Sequence, residues 1–227
     1  MPARSPLLVL SIPPLRARPR AGAARSRQWL FGLSIPFMIW LAAAAPAPLR
    51  ALGPLLGAAS ELDDAGKLLA VNEFFNHRIR YREDSAVWGQ ADHWASPLEL
   101  LAKGEGDCED FAIAKYFSLR ALGVPSSRLR LVYVKARTEG PTPQTEAQTQ
   151  PHMVLAYYAA PGAEPSILDN LVPEVLPADQ RSDLTPVFSF NLDGLWLGLG
   201  NQSAGDPTAR LLRWRETLAK AHAEGFP

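Results

Sequence analysis

The 227-residue sequence predicts an α+β domain with helices first and an antiparallel sheet after them. Three observations carry this. Leu68, Val71, Phe75 and Ile79 recur at spacings of three and four, and Phe111, Ala114, Leu119 and Leu122 can share one face of a later helix. Beyond residue 128 the pattern changes to runs rich in branched residues that partly alternate, LRLVYVK at 129–135 and MVLAYYA at 153–159. A hydrophobic content of 47% with six tryptophans excludes a disordered chain.

The elements follow in order. Residues 1–50 hold seven arginines and no acid, and Trp29–Ala45 is an apolar run ending in alanines. A basic start, an apolar centre and a small-residue exit read as a secretory signal. The alternative is an uncleaved membrane anchor, since the run approaches the roughly 20 residues that span a bilayer. Either delivers residues 51–227, one domain, across the inner membrane, and membrane contact then comes only through the leader. Next come a helix over 62–80, a loop over 81–96, and a helix opened by Ser96 as cap with Pro97 and Glu99 behind it. A glycine turn at 104–106 leads into a helix that Gly123 and Pro125 terminate. A polar loop at 137–151 separates the first two strands; Ser166–Leu168 makes a third and Pro186–Asn191 a fourth. Asp206 and Pro207 open one last helix to about Glu224, with Leu211, Trp214 and Leu218 inward.

The zero net charge is a sum of unlike parts. Removing the leader leaves 16 basic against 23 acidic residues in 51–227. An acidic body argues against nucleic acid as a partner, because phosphate contacts need clustered Lys and Arg.

The single cysteine, Cys108, has no partner for an intramolecular disulfide, so it is either a small buried hydrophobe or a reactive thiol. It falls at a helix start, where the dipole favours a thiolate. Asp107, Glu109 and Asp110 oppose that, and an imidazolium or a bound cation would offset them. Of the four histidines, His77 and His222 lie in helices and His93 in the aromatic loop. His152 opens a strand, and Asp169 ends the next one. Adjacent antiparallel strands would set these two side by side, leaving the imidazole between carboxylate and thiol.

The motifs GEGDCEDFAIAK at 104–115, HMVL at 152–155 and LDNL at 168–171 resemble the bacterial transglutaminase-like cysteine proteinases. Trp88-Gly89, Asp92, the segment 94–97, the strand 129–136 and DLTPVFSFN at 183–191 extend the resemblance over about 70–200. It implies a papain/transglutaminase-like core with the nucleophilic cysteine at the N-terminus of a central helix. It also implies Cys108 as nucleophile, His152 as general base, Asp169 as the residue orienting the histidine, and Asp107 and Glu109 as ligands of an activating Ca2+. Asp110 either joins them or only caps the helix, and Trp88 or Trp94 could offer an indole N–H to an oxyanion. The implied function is periplasmic cleavage of a large secreted adhesin near its N-terminus, at a di-alanine site, which frees it from the cell surface in biofilm dispersal. The implied regulator is an inner-membrane cyclic di-GMP receptor that sequesters the protease. Acyl transfer to an amine, by the same triad, and a catalytically silent binding module are the competing readings.

Overall fold

A computed structural model describes residues 47–138 and 148–227. The signal or anchor at 29–45 and the centre of the polar loop lie outside the described residues. No described helix is long and apolar enough to cross a membrane.

Helix α1 (Ala47–Ala59) spans position 50, where the leader was expected to end, and buries Leu52 and Ala59. Helix α2 (Asp64–Arg78) starts where the Asp63 carboxylate accepts the Gly66 N–H. The four apolar positions of its periodicity, Leu68, Val71, Phe75 and the capping Ile79, are all buried. The expected loop after it is not wholly irregular. Strand β1 (Arg80–Tyr81) and a single helical turn, α3 (Asp84–Val87), occupy its first part, and the turn is too short to show a period. Helix α4 (Pro97–Lys103) has the capping box read from its sequence and ends on Gly104 at φ 69°, the left-handed conformation glycine tolerates. Strand β2 (Glu105–Gly106) pairs in parallel with β1 and delivers the chain to α5 (Cys108–Ala121).

The remaining strands are β3 (Leu129–Thr138), β4 (Gln148–Tyr157), β5 (Ser166–Leu168), β6 (Leu176–Pro177), β7 (Leu184–Phe190), β8 (Leu195–Leu197) and β9 (Ser203–Gly205). They form one antiparallel sheet in the order β6-β5-β4-β3-β7-β8-β9. Both long strands continue into the expected polar loop, which shortens it. The pleat divides their side chains. Leu129, Leu131, Met153, Leu155 and Leu168 join the main core with α5, while Val132, Val134, Val154, Ala156 and Ile167 form a smaller cluster apart from it.

The single C-terminal helix expected from the sequence is two, α6 (Pro207–Arg210) and α7 (Leu212–Ala223). Leu211 between them is extended (φ −114°, ψ 93°); its side chain is half-buried against the main core, as expected, and also lines the cleft described below. Trp214 and Leu218 are buried as expected, Trp214 against Tyr116, Phe117 and Phe190. The α+β class is thus observed: helices packed on an antiparallel sheet, with α5 between α2 and β4.

Candidate active site

The site is built where α5 begins. A side chain at Gly106 is excluded, because an added Cβ would stand 2.5 Å from Asp110 Oδ2 and 2.6 Å from Leu100 Cδ1. That close approach lets Asp110 fold back: Oδ2 accepts the Asp107 N–H at 3.4 Å and Oδ1 accepts the Ala95 N–H at 2.7 Å. Asp110 therefore caps the helix and ties the segment before α4 to it.

Cys108 is the first residue of α5 and half-buried. Its thiol lies 3.0 Å from Glu109 Oε2. Burial, and then Glu109 and Asp107, push the thiol well above its ordinary range, against a Met153 N–H that favours the thiolate. Burial and the acids together therefore outweigh the one backbone N–H that favours the thiolate.

Cys108 and His152 line one cleft of about 730 Å³, with Tyr81, Trp94, Tyr133 and Phe188 among its walls. His152 sits in the middle of β4, opposite Val134 of β3, and is buried. The pairing of Leu155 with Leu168 brings the chain just after β5 alongside it, and His152 Nε2 meets Asp169 Oδ1 at 2.8 Å. Of the three residues singled out from the sequence, Cys108 and His152 thus line one cleft, and Asp169 reaches it through its bond to His152.

Asp169 is held on all sides. Oδ1 also accepts the Leu171 N–H at 3.0 Å, Oδ2 accepts from Arg181 Nη2 at 2.7 Å, and its backbone carbonyl accepts from Asn76 Nδ2 at 2.8 Å and Lys115 Nζ at 3.0 Å. Burial alone would raise its pKa, but the bonds from His152, Leu171 and Arg181 outweigh it and hold the carboxyl at about 2. Asn76, Lys115 and Arg181 were not read from the sequence. Lys115 did leave a signal, a lysine between apolar neighbours in FAIAKYF; Arg181 left none.

A second feature adjoins the cleft. Ligand oxygens of Asp84, Asp107 and Asp110 lie within 4.8 Å of one another, as do those of Asp84, Asp92 and Glu109. Asp84 Oδ1 and Asp107 Oδ1 are buried without a hydrogen-bond partner among the described residues. Burial and the neighbouring Glu109 and Asp110 raise Asp107 to about 10. Burial raises Asp84 to about 6, against an opposing bond from the His93 N–H. Two buried carboxylate oxygens with no partner among the described residues, with Glu109 and the exposed Asp92 beside them and no nitrogen in the set, fit a hard divalent cation such as Ca2+. Asp107 and Glu109 are thereby joined by Asp84 and Asp92 as available donors. Asp84 was missed because it belongs to the short α3, in a segment without period.

The remaining residues of interest fall elsewhere. His93 stacks on Trp88 with ring centroids 4.1 Å apart, and neither lines the cleft. Trp94 does, braced against Phe190. His77 and His222 are on exposed helix surface.

An α+β chain with a lone cysteine opening a helix, facing a histidine–aspartate pair across a cleft, has the layout of a cysteine proteinase with a transglutaminase-like fold. The family model for bacterial transglutaminase-like cysteine proteinases (BTLCP) matches residues 57–184, and the chain belongs to that family. Among solved structures, LapG of Legionella pneumophila in an EGTA-treated form is 37% identical with a TM-score of 0.68, covering 83% of this chain and 98% of that one. Its calcium-bound form is 38% identical with a TM-score of 0.65, covering 83% and 99%. No curated protein sequence matches. The comparisons support a cysteine protease related to one that binds calcium.

Proposed function

We propose that the chain is a calcium-dependent, exported cysteine endopeptidase that cuts the N-terminal region of a large secreted adhesin and is held in check by an inner-membrane cyclic di-GMP receptor. The observation that carries the catalytic part is the buried 2.8 Å bond between His152 and Asp169 beside the cleft that Cys108 shares. The substrate, the regulator and the periplasmic location rest on the sequence resemblance alone.

Nε2 of His152 donates to Asp169, which leaves Nδ1 as the basic nitrogen of the neutral ring. Nδ1 takes the Cys108 proton, and the sulfur attacks the scissile carbonyl carbon. The imidazolium, stabilised by Asp169, then protonates the departing amine. Water gives a proton to Nδ1, attacks the thioester and releases the carboxylate product with the thiol restored. Asp107 and Glu109, with Asp84 and Asp92, would hold the calcium ion, which would supply positive charge to offset the acids beside the thiolate.

The full chain, solubilised in detergent, is incubated with an adhesin N-terminal fragment with and without a chelator. Two fragments are expected, with a loss of at least about 10³-fold in Cys108→Ala and suppression by chelator. Cleavage surviving in Cys108→Ala removes the nucleophile assignment. Chelator-insensitive cleavage removes the calcium role and leaves the protease. An amine-crosslinked product without fragments assigns acyl transfer instead.

A further inference from the structure

We infer that Arg181 is a positioning residue for this chemistry: clamped by Asp183, it fixes Asp169 Oδ2 so that Oδ1 stays on His152 Nε2. The inference rests on the reading of Cys108, His152 and Asp169 as the catalytic set.

The two ends of Asp169 are held by different parts of the fold. Its backbone carbonyl is gripped from the helical side, by Asn76 of α2 and Lys115 of α5. Those bonds fix where the residue sits and leave the torsion of its carboxylate free. The torsion is set by two donors, the Leu171 N–H on Oδ1 at 3.0 Å and, on Oδ2, Arg181 at the sheet edge, which closes the short turn Ala178–Gln180 that follows β6. Its Nη2 reaches Asp169 Oδ2 at 2.7 Å, while Nε and Nη2 take Asp183 Oδ1 and Oδ2 at 3.0 and 2.8 Å. The fork on Asp183 leaves the guanidinium little freedom, because a planar group bonded through two nitrogens is fixed in its plane. The Arg181 and Asp169 side chains are 3% and 0% exposed, so water cannot replace either partner cheaply. Without Arg181, Oδ2 would be left buried with no donor, and only the Leu171 N–H would hold the carboxylate towards His152, so the acceptor that sets the His152 tautomer would be less firmly fixed. Asp183 is 37% exposed, so the clamp can be loosened from the surface without opening the core.

The test uses the full chain in calcium, with Arg181→Gln, Arg181→Lys, Asp183→Asn and His152→Ala. Cleavage kinetics are read beside the rate of iodoacetamide alkylation of Cys108, the only thiol, across a pH series. Arg181→Gln is expected to lower kcat by about 10- to 100-fold with KM unchanged, and to move the alkylation midpoint to higher pH. Arg181→Lys recovers part of both, since an ammonium can still reach Asp169. Asp183→Asn moves both in the same direction by less, and it decides the matter should Arg181→Gln fail to fold. Folded Arg181 and Asp183 variants with wild-type kcat and alkylation profile, beside an altered His152→Ala, overturn the inference alone. A His152→Ala chain that alkylates like wild type overturns the catalytic reading and the inference with it.

Discussion

At the scale of single residues, Gly106 has the least latitude. Its α-carbon faces Asp110 Oδ2 and Leu100 Cδ1 at distances that leave no space for a methyl group. Gly106→Ala must displace both, and Asp110 is the carboxylate that holds Asp107 and Ala95. The expected cost is about 1–3 kcal/mol, read as a lower thermal unfolding midpoint in calcium. A larger fall in cleavage should accompany it, because the cap positions Cys108; an unchanged midpoint would show that α5 shifts freely. The same neighbourhood shows what single residues disclose in a sequence. Cys108 is legible because it is the only thiol and stands among three acids. His152 is legible because it stands where a polar loop gives way to an apolar run, and Asp169 because it follows a short strand; the strand start expected at His152 is mid-strand, since β4 begins at Gln148. Arg181 and Asp84 are not, since each is defined by a partner that only the tertiary fold supplies.

At the scale of elements, α4 and α7 are joined through a cap. Ser96 accepts the Glu99 N–H at 3.3 Å and donates its hydroxyl to Glu224, whose other oxygen accepts the Leu98 N–H at 3.1 Å. Lys220 and Thr217 of α7 both donate to the Trp94 carbonyl, at 2.7 and 3.1 Å. The terminal helix thereby holds the segment that presents Trp94 to the cleft. Ser96→Ala removes the cap and takes a donor from the half-buried Glu224, so a loss of about 1–2 kcal/mol is expected in chemical denaturation; a loss within error would mean that Glu224 finds another donor. The cap itself was readable, because Ser-Pro-Leu-Glu is a local signal and the helix starts where it says. Strands β8 and β9 were not, because three-residue strands among glycines exist only through pairing with β7 and with each other. The break at Leu211 escaped for a related reason: the helical spacing of apolar residues continues through it, and its extended backbone leaves no local signal.

At the scale of the whole molecule, 16 basic against 23 acidic residues in 51–227 matter less as a total than through the acids gathered at one place. Asp84 and Asp107 are raised to about 6 and about 10, and Asp110 to about 8 by burial, partly offset by the Ala95 N–H. An acid whose folded pKa exceeds its unfolded value binds more protons folded than unfolded between the two, so stability falls as pH rises through that window. Without calcium the cluster should lower stability progressively from about pH 4 to about pH 10. Lys115 acts in the opposite sense. Burial, only partly offset by Asp169, lowers it from 10.5 to about 7, so the unfolded chain binds the extra proton and stability rises over that interval. The absolute pH profile therefore mixes two slopes, and the difference between calcium and chelator separates them, because Lys115 contributes equally to both. Calcium binds the deprotonated carboxylates, so the shift it causes in the unfolding midpoint should grow steadily from acid to alkaline pH. Scanning calorimetry with calcium and with chelator at each pH measures that difference. A calcium-induced shift that stays flat from pH 5 to pH 9 would contradict binding at this cluster, whatever the cleavage assay reports.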